Sequence, residues 1–251
     1  MASVSFVDSD AHPGRIAPPP GPRAERVLLP PSARVYLAFK RILDVTTALA
    51  LLILTAPFIG IAMLLVKFTS PGPALYSQTR LGRRGRPFTL YKLRTMAHDS
   101  ESLTGPCWSL PGDSRVTKLG RWLRATHLDE LPQLWNVLRG HMSLIGPRPE
   151  RPEFVPKLEH AIPHYRKRLQ VRPGVTGLAQ VQLPPDSDLD SVLIKTAYDL
   201  HYIRHIGLLL DMRIVWATGF KVMGVSFGRL RAAFRFPPRE VIHTHYRALR
   251  V

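Results

Sequence analysis

The sequence has little cysteine and few acidic residues. Cys107 is the single cysteine among 251 residues, so the chain cannot form an intramolecular disulfide bond. This argues against a disulfide-stapled secreted domain and fits a reducing compartment. A zinc site built on several cysteines is excluded as well. Asp and Glu together number 18 against 35 Lys and Arg, which gives a net charge of +17 and predicts an anionic partner or surface.

Common phosphate-binding signatures are also absent. The sequence contains no Walker loop, protein-kinase signature or dinucleotide-binding fingerprint. A secretory signal peptide is not expected at residues 1–44, because the first long apolar run begins only after residue 44. Apolar residues make up 45% of the chain and charged residues 21%, which excludes global disorder. The length allows one large domain or two small ones.

A charge-free apolar run covers residues 45–66. A straight helix of this length would reach about 33 Å, enough for a bilayer core of about 30 Å. Pro57 lies near the middle, where it removes a helical hydrogen bond. Basic residues flank the run on both sides, and such residues mark the cytoplasmic face. Two interpretations stay open: one transmembrane span, or a helix that breaks at Ala56 and Pro57 and returns to the same face.

The remaining sequence divides by composition. Residues 1–33 are rich in proline and predict a disordered arm, residues 34–70 hold the membrane helix, and residues 226–251 predict a basic surface tail. Between them, residues 75–80 and 87–93 flank a Gly- and Arg-rich turn and predict a β-hairpin. Helices are predicted over 116–123, 132–139 and 154–169. The apolar pattern over 195–223 predicts either a pair of core helices or a helix at the lipid interface.

An acidic pair, Asp129 and Glu130, stands just ahead of the helix that is predicted to begin at Pro132. The positive end of the helix dipole favours an ionised carboxylate there, which could act as a nucleophile or a metal ligand. The alternative is ordinary helix capping, which is the commoner use of such residues. His127 is interpreted as a local packing residue.

Basic residues surround this pair in the sequence. Single lysines and arginines are usually solvated surface charges, but several here stand in rigid Gly- and Pro-containing loops, which suits bidentate phosphate binding. A carboxylate beside such cations is suited to phosphoryl transfer. The candidate phosphate-binding residues are Lys92, Arg94, Arg124, Arg148 and Arg172.

The apolar run with its central Pro57 and four strings carry a resemblance to a known family. The strings are KRILD at 40–44, SPGPALYSQTRLGRRGRPFTLYKLRTM at 70–96, DSRVTKLGRWLRATHLDELPQLWNVLRGHMSLIGPRPE at 113–150 and VRPGVTGLAQV at 171–181. With them the chain resembles the bacterial sugar transferases, monotopic polyprenyl-phosphate phosphoglycosyltransferases that begin the assembly of surface polysaccharides. The resemblance runs over residues 37–224, about three quarters of the chain.

The resemblance implies a two-step reaction. The aspartate matching Asp129 attacks the sugar-bearing phosphate of a UDP-sugar, UMP leaves, and polyprenyl phosphate then accepts the phosphosugar. Glu130 assists, Mg2+ binds beside Asp129, and Lys92, Arg124 and Arg148 match residues expected to hold phosphate groups. Residues 71–225 would form the catalytic domain. Membrane lipid is a further expected partner, nucleic acid is not, and a homodimer stays open.

The resemblance also implies a fold and a location. The expected fold is α-rich α+β: a re-entrant membrane helix broken at Ala56 and Pro57, then a compact cytosolic catalytic domain with a small β-hairpin and interfacial amphipathic helices. The expected location is the bacterial inner membrane, with the catalytic domain on the cytoplasmic face.

The chain departs from the family pattern at two places. Ala56 stands where the family commonly has Ser, so Thr55 would have to supply a partner for the backbone at the break. Gln182, Leu183 and Pro184 replace a common Asn-Gly-Arg, which leaves the sugar undefined. Two other functions stay open: a basic nucleic-acid-binding protein, and a membrane-anchored scaffold in which the acidic pair only caps a helix.

Overall fold

The computed structural model describes residues 31–100, 105, 107–108 and 112–248. Residues 1–30 of the predicted arm over 1–33 therefore lie outside the described residues. Within the described part, nine α-helices surround two small sheets, and the expected α-rich α+β fold is confirmed at this level.

The first helix, α1 (Pro31–Thr69), contains 39 residues and includes Pro57. It continues on both sides of Ala56 and Pro57, so the predicted interruption of the helix there is not observed. A proline removes only one N–H donor, and membrane helices commonly tolerate this. The Thr55 hydroxyl donates to the carbonyl of Leu51 at 2.7 Å and does not bond the backbone group freed by Pro57, the carbonyl of Ile53.

One face of α1 contacts the rest of the protein in two stretches, one in the first half of the helix and one near its end. Its buried residues follow each other at intervals that keep them on one side of a helix, and we call this set the α1 stripe. The stripe consists of Ala33, Lys40, Asp44, Ala48, Ala62 and Val66. The opposite side exposes large apolar residues such as Ile53, Phe58 and Phe68, at 68%, 60% and 84%. By length and composition α1 is the one helix of the described residues suited to crossing a membrane.

The two sheets each have two strands. Strands β1 (Leu75–Leu81) and β2 (Pro87–Leu93) are antiparallel, with Leu75 opposite Leu93, and the predicted hairpin is thereby confirmed. Strands β3 (Ser143–Ile145) and β4 (Gly174–Thr176) are parallel, with Ser143 opposite Gly174. This second sheet was not predicted, because strands of three residues carry too little alternation to detect.

The other helices are short except for two near the C-terminal end. They are α2 (Lys118–Ala125), α3 (Gln133–Leu138), α4 (Val155–Ala161), α5 (Leu178–Gln182), α6 (Leu189–Arg204), α7 (Leu208–Val222), α8 (Phe227–Ala233) and α9 (Arg239–Arg247). Three 3-10 turns also occur, at Arg83–Gly85, Leu128–Glu130 and Tyr165–Gln170.

Two of the three predicted helices need correction at their ends. The helix predicted over 116–123 begins at Lys118, because the Thr117 hydroxyl caps it by accepting from the N–H of Gly120. The helix predicted over 132–139 forms as α3. The helix predicted over 154–169 ends at Ala161 and resumes only as the 3-10 turn Tyr165–Gln170, since Pro163 cannot continue the ladder.

The pattern over 195–223 forms two different helices, which meet at Gly207. Helix α6 is a core helix, in which Tyr198, Tyr202 and Ile203 are at most 1% exposed. Helix α7 buries one side and exposes an apolar one, with Leu209 at 66% and Trp216 at 61%. Both alternatives from the sequence thus have a counterpart, the core helix in α6 and an amphipathic helix in α7.

Residues 226–251 were predicted to form a basic surface tail. The structure describes this segment up to residue 248, and there it forms helices α8 and α9, which pack against the core. Leu230 of α8 and Ile242 and Tyr246 of α9 are buried in the same apolar cluster as α6. The Tyr246 hydroxyl donates to the carbonyl of Pro163 at 2.6 Å. The four-residue spacing of Ile242 and Tyr246 places both on one helix face, a signal that the surrounding arginines obscured.

A buried polar cluster fastens α1 to α7. Lys40 forms an ion pair with Asp211, with 2.5 Å between Nζ and Oδ2. The hydroxyls of Tyr36 and Tyr202 donate to the same carboxylate at 2.6 and 2.9 Å. Asp44, one turn further along α1, accepts from the N–H of Leu144 at 3.0 Å. The KRILD string therefore fixes the start of α1 against the protein.

Candidate active site

The acidic pair lies in the 3-10 turn Leu128–Glu130, directly ahead of α3. Asp129 is 6% exposed. His127 enters the turn with a left-handed backbone (φ 56°) and so redirects the chain after α2. No side chain caps α3. The capping alternative for Asp129 and Glu130 is therefore not supported by the geometry.

Glu130 is held by two cations. Its Oε1 lies 2.6 Å from Lys92 Nζ and 2.8 Å from Arg148 Nη2. Burial would raise the pKa of this carboxyl, but Arg148 and Lys92 outweigh burial and hold the pKa well below its usual range. Glu130 is thus a permanent anion that orients both cations beside Asp129.

Asp129 has a different environment. Its Oδ1 is buried and has no hydrogen-bond partner. Burial raises the pKa of Asp129 to about 6. The nearby Lys92 works against this shift, as do Arg124 and Arg148, whereas the charge on Glu130 adds to it. A carboxylate that is desolvated, unpartnered and yet largely ionised at neutral pH is suited to nucleophilic attack.

Lys92 and Arg124 reach the site from two different elements. Lys92 belongs to β2, and burial lowers its pKa while Glu130 opposes the shift. Arg124 belongs to α2, where its Nε donates to the Thr95 hydroxyl at 2.9 Å. Burial lowers its pKa, against the opposing effect of Asp129. The hairpin and α2 therefore bring positive charge to Asp129 from two sides.

Arg148 is presented by a loop, residues 146–150, whose backbone is bonded along its length. The N–H of Gly146 donates to Thr176, and the N–H of Gly174 to Pro147, both at 2.9 Å. The next three carbonyls, those of residues 148, 149 and 150, each accept one hydrogen bond. Their donors are, in that order, Arg168 Nη2 at 3.0 Å, Arg80 Nη1 at 3.0 Å and the N–H of Leu81 at 2.9 Å. A Cβ on Gly174 would come 2.1 Å from the N of Gly146, so this approach requires glycine.

These residues line a cleft of about 1210 Å³. Its lining includes six of the predicted site residues: Lys92, Arg94, Arg124, Asp129, Glu130 and Arg148. The sequence reasoning missed further charged residues of the lining, among them Arg80, Arg168, Lys195 and Asp199. Arg168 and Asp199 come from separate elements, and no local pattern marks them.

Arg94 lies in the cleft wall, but most of its donors are already used. Its Nη1 donates to the carbonyl of Pro71, and its Nη2 to the carbonyl and the hydroxyl of Ser70, both at 2.8 Å. Arg94 therefore ties β2 to the segment that follows α1. The geometry supports a structural role for it.

Arg172 is not among the described residues that line the cleft. Its Nε donates to the carbonyl of Gly140 at 3.0 Å. Arg41 donates to the carbonyls of Val137 and Leu138 at 2.7 and 3.0 Å. Both cations thus sit at the C-terminal end of α3, where unpaired carbonyls attract positive charge. The structure does not bring Arg172 to the acidic pair.

Metal ligands are few at the site. Among the described residues, no three His, Cys, Asp or Glu side chains form a group that could hold a metal ion. Glu130 is engaged by Lys92 and Arg148, which leaves the unpartnered Oδ1 of Asp129 as a free carboxylate oxygen. Mg2+ is often bound by one or two carboxylates together with substrate phosphates, so this donor set fits a shared magnesium ion.

Comparison with known proteins identifies the family. The model of the bacterial sugar transferase family matches residues 35–225. The chain belongs to the bacterial sugar transferase family. The match runs from α1 to the end of α7 and includes the acidic pair and the loop of Arg148. The resemblance seen in the sequence is thereby confirmed.

Several relatives are similar over comparable shares of the chain. A UDP-N-acetylgalactosamine-undecaprenyl-phosphate N-acetylgalactosaminephosphotransferase from Aeromonas hydrophila is 42% identical over 73% of this chain and 43% of its own length. A UDP-glucose:undecaprenyl-phosphate glucose-1-phosphate transferase from Caulobacter vibrioides is 46% identical, covering 71% and 67%. The exopolysaccharide production protein PSS of Rhizobium leguminosarum is 38% identical, covering 72% and 94%. The chain thus spans less than half the length of the first relative.

Proposed function

We propose that this protein transfers a sugar 1-phosphate from a UDP-sugar to undecaprenyl phosphate and so begins the synthesis of a surface polysaccharide. The observation that carries the proposal is Asp129, a buried and unpartnered carboxylate among cations in an open cleft. The named activities of the relatives, which use UDP-sugars and undecaprenyl phosphate, support the same reaction.

In the first step, an Asp129 oxygen attacks the sugar-bearing phosphorus of the UDP-sugar. A bond from the carboxylate to phosphorus forms, the bond between the two phosphates breaks, and UMP leaves with the bridging oxygen. Lys92, Arg124 and Arg148 neutralise the phosphate oxygens as charge develops. Two of these cations, Lys92 and Arg148, are already held in place by their ion pairs with Glu130 before substrate binds.

In the second step, a phosphate oxygen of undecaprenyl phosphate attacks the same phosphorus. The bond to Asp129 breaks, which regenerates its carboxylate and leaves the sugar on undecaprenyl diphosphate. Because both displacements use one carboxylate, the kinetics are of the ping-pong type. Bound Mg2+, held by Asp129, would supply further neutralisation of the diphosphate charge.

We also infer that α1 is re-entrant: it bends at Pro57 without ending there, and both of its ends lie at the cytoplasmic face of the bacterial inner membrane. The α1 stripe supports this. Ala48 packs with Phe88 and Leu134, while Val66, near the far end, packs with Leu123 of the same body. A helix that crossed the bilayer would carry its second half away from that body by a large part of 30 Å.

Tags placed at residues 1 and 251 should test this topology. Both tags should be inaccessible to antibody in intact cells, in spheroplasts too, and become accessible after the inner membrane is permeabilised. A tag fused to a known periplasmic protein in the same cells is the positive control. Accessibility of only one of the two tags in spheroplasts would establish a through-span and overturn the re-entrant topology.

The reaction is tested by UMP release. Purified protein with Mg2+ and a panel that includes UDP-glucose and UDP-N-acetylgalactosamine should release UMP from at least one donor. Release should stop after about one equivalent without undecaprenyl phosphate and continue when it is added. Absence of release from folded protein with every donor, or continued release without acceptor, would contradict the proposal.

The rate of the first step should depend on pH through Asp129. Only the ionised carboxylate attacks, so single-turnover UMP release should fall about tenfold per pH unit below the pKa near 6 and level off above it. Burial raises this pKa above its ordinary value, so the acid limb lies at higher pH than for an exposed aspartate. The measurement is made without undecaprenyl phosphate, because this acceptor is a phosphate monoester, a group that itself titrates near pH 6 and would add its own pH dependence. A rate that does not fall in acid would contradict the assignment.

A further inference from the structure

Two buried charged residues below the Arg148 loop have no role in the reaction as described so far. They are Arg168, in the 3-10 turn Tyr165–Gln170, and Asp199, on α6, at 6% and 2% exposure. Isolated buried charges are costly, and such groups are retained only with partners. Arg168 Nη2 and Asp199 Oδ2 lie 2.7 Å apart as an ion pair.

Arg168 also reaches the loop that carries Arg148. Its Nη2 donates to the carbonyl of Arg148 at 3.0 Å, and its Nη1 donates to the Tyr165 hydroxyl at 2.9 Å. The side chain of Arg148 is itself 42% exposed, so packing alone does not fix it. The backbone of Arg148 is fixed instead, because Arg168 donates a hydrogen bond to the Arg148 carbonyl.

We propose that Arg168, charge-balanced by Asp199, is a positioning residue that holds Arg148 where it contacts Glu130 and the transferred phosphate. The inference rests on the proposed function, because it assigns a role within that reaction. The chain of contacts runs from Asp199 to Arg168, to the carbonyl of Arg148, and from Arg148 Nη2 to Glu130 at 2.8 Å. Arg168 acts only through Arg148, which distinguishes it from a phosphate-binding residue.

A planar guanidinium suits this place because its two terminal nitrogens contact three partners: Nη1 a hydroxyl, and Nη2 a carbonyl and a carboxylate. A lysine ammonium could replace the charge but not all three contacts. Arg168→Lys should therefore recover part of what Arg168→Met loses. Tyr165→Phe is the matched control, because it removes one contact of Arg168 and leaves the contact to the Arg148 carbonyl in place.

The test is a double-mutant cycle on kcat/KM for UMP release by the full-length protein. Arg168→Met should lower kcat/KM about 10- to 100-fold, as does loss of residues that orient a site. Arg148→Gln should lower it as well, and the double variant should be no slower than Arg148→Gln alone, since Arg168 acts through Arg148. Tyr165→Phe should stay close to wild type.

Losses that multiply in the double variant would overturn the proposal, as would wild-type kcat/KM in folded Arg168→Met. If Arg168→Met does not fold, Asp199→Asn replaces it: a smaller loss with the same non-additive pattern supports the proposal, and an additive loss or none overturns it. Failure of the wild-type protein to release UMP would instead contradict the proposed function, so the two failures are distinguishable.

Discussion

Asp129→Asn should abolish the reaction. The amide cannot act as the nucleophile, so UMP release should fall by at least about 10³-fold, the scale at which the loss of a covalent nucleophile is felt. The substitution is nearly isosteric and removes a buried negative charge that has no hydrogen-bond partner on Oδ1. The variant should therefore fold. Asp190→Asn, the same change at an exposed position at the start of α6, should keep wild-type activity.

Glu130→Gln separates the two carboxylates. Glu130 contacts Lys92 and Arg148 and is not the attacking group, so this variant should react slowly but still pass through the same covalent intermediate. Its effect should appear in both half-reactions, because the two cations serve both. Residual UMP release in Asp129→Asn equal to that of Glu130→Gln would contradict the assignment of Asp129 as the nucleophile.

Lys40→Met should destabilise the protein strongly. It leaves the carboxylate of Asp211 buried, with only the hydroxyls of Tyr36 and Tyr202 to compensate for its charge. Breaking a buried ion pair from one side costs about 3–5 kcal/mol. For a chain of this size that corresponds to a fall in Tm of about 6–20 °C. Thermal unfolding in detergent, followed by circular dichroism, measures it.

The double variant Lys40→Met/Asp211→Asn is the control for this prediction. It removes the charges of Lys40 and Asp211, while the buried carboxylate of Asp44, which lies 3.8 Å from Lys40 Nζ, keeps the N–H of Leu144 as its partner. Part of the lost stability should therefore return. A Tm for Lys40→Met equal to that of wild type would show that the pair does not hold α1 to α7. If the double variant lost more stability than the two single variants lose together, the ion pair itself would not be the stabilising feature.

The features that sequence alone predicted are local ones. The hairpin follows from two runs on either side of a turn, and both strands formed where expected. The position of Asp129 and Glu130 ahead of a helix followed from Pro132, and the structure has that order. The family followed from long motif strings. Each of these signals lies within a few tens of residues, where spacing limits the structure.

What the sequence could not indicate depends on distant contacts. Lys40 and Asp211 are 171 positions apart, and nothing local pairs them. Arg172 stands in a rigid loop like Arg148, yet the carbonyl of Gly140 draws it to the end of α3. In α8 and α9, arginines obscured the buried face. The sequence does not show whether a charged residue is buried or which residue pairs with it; only the fold shows both.

The central claim, covalent catalysis by Asp129, is tested most directly by the mass of the protein. Protein incubated with a reactive UDP-sugar and no acceptor should gain the mass of one phosphosugar, on the peptide that contains Asp129. Undecaprenyl phosphate should remove it, and Asp129→Asn should not acquire it. An adduct on another residue, such as His127, or turnover by protein that never gains the mass, would contradict the account.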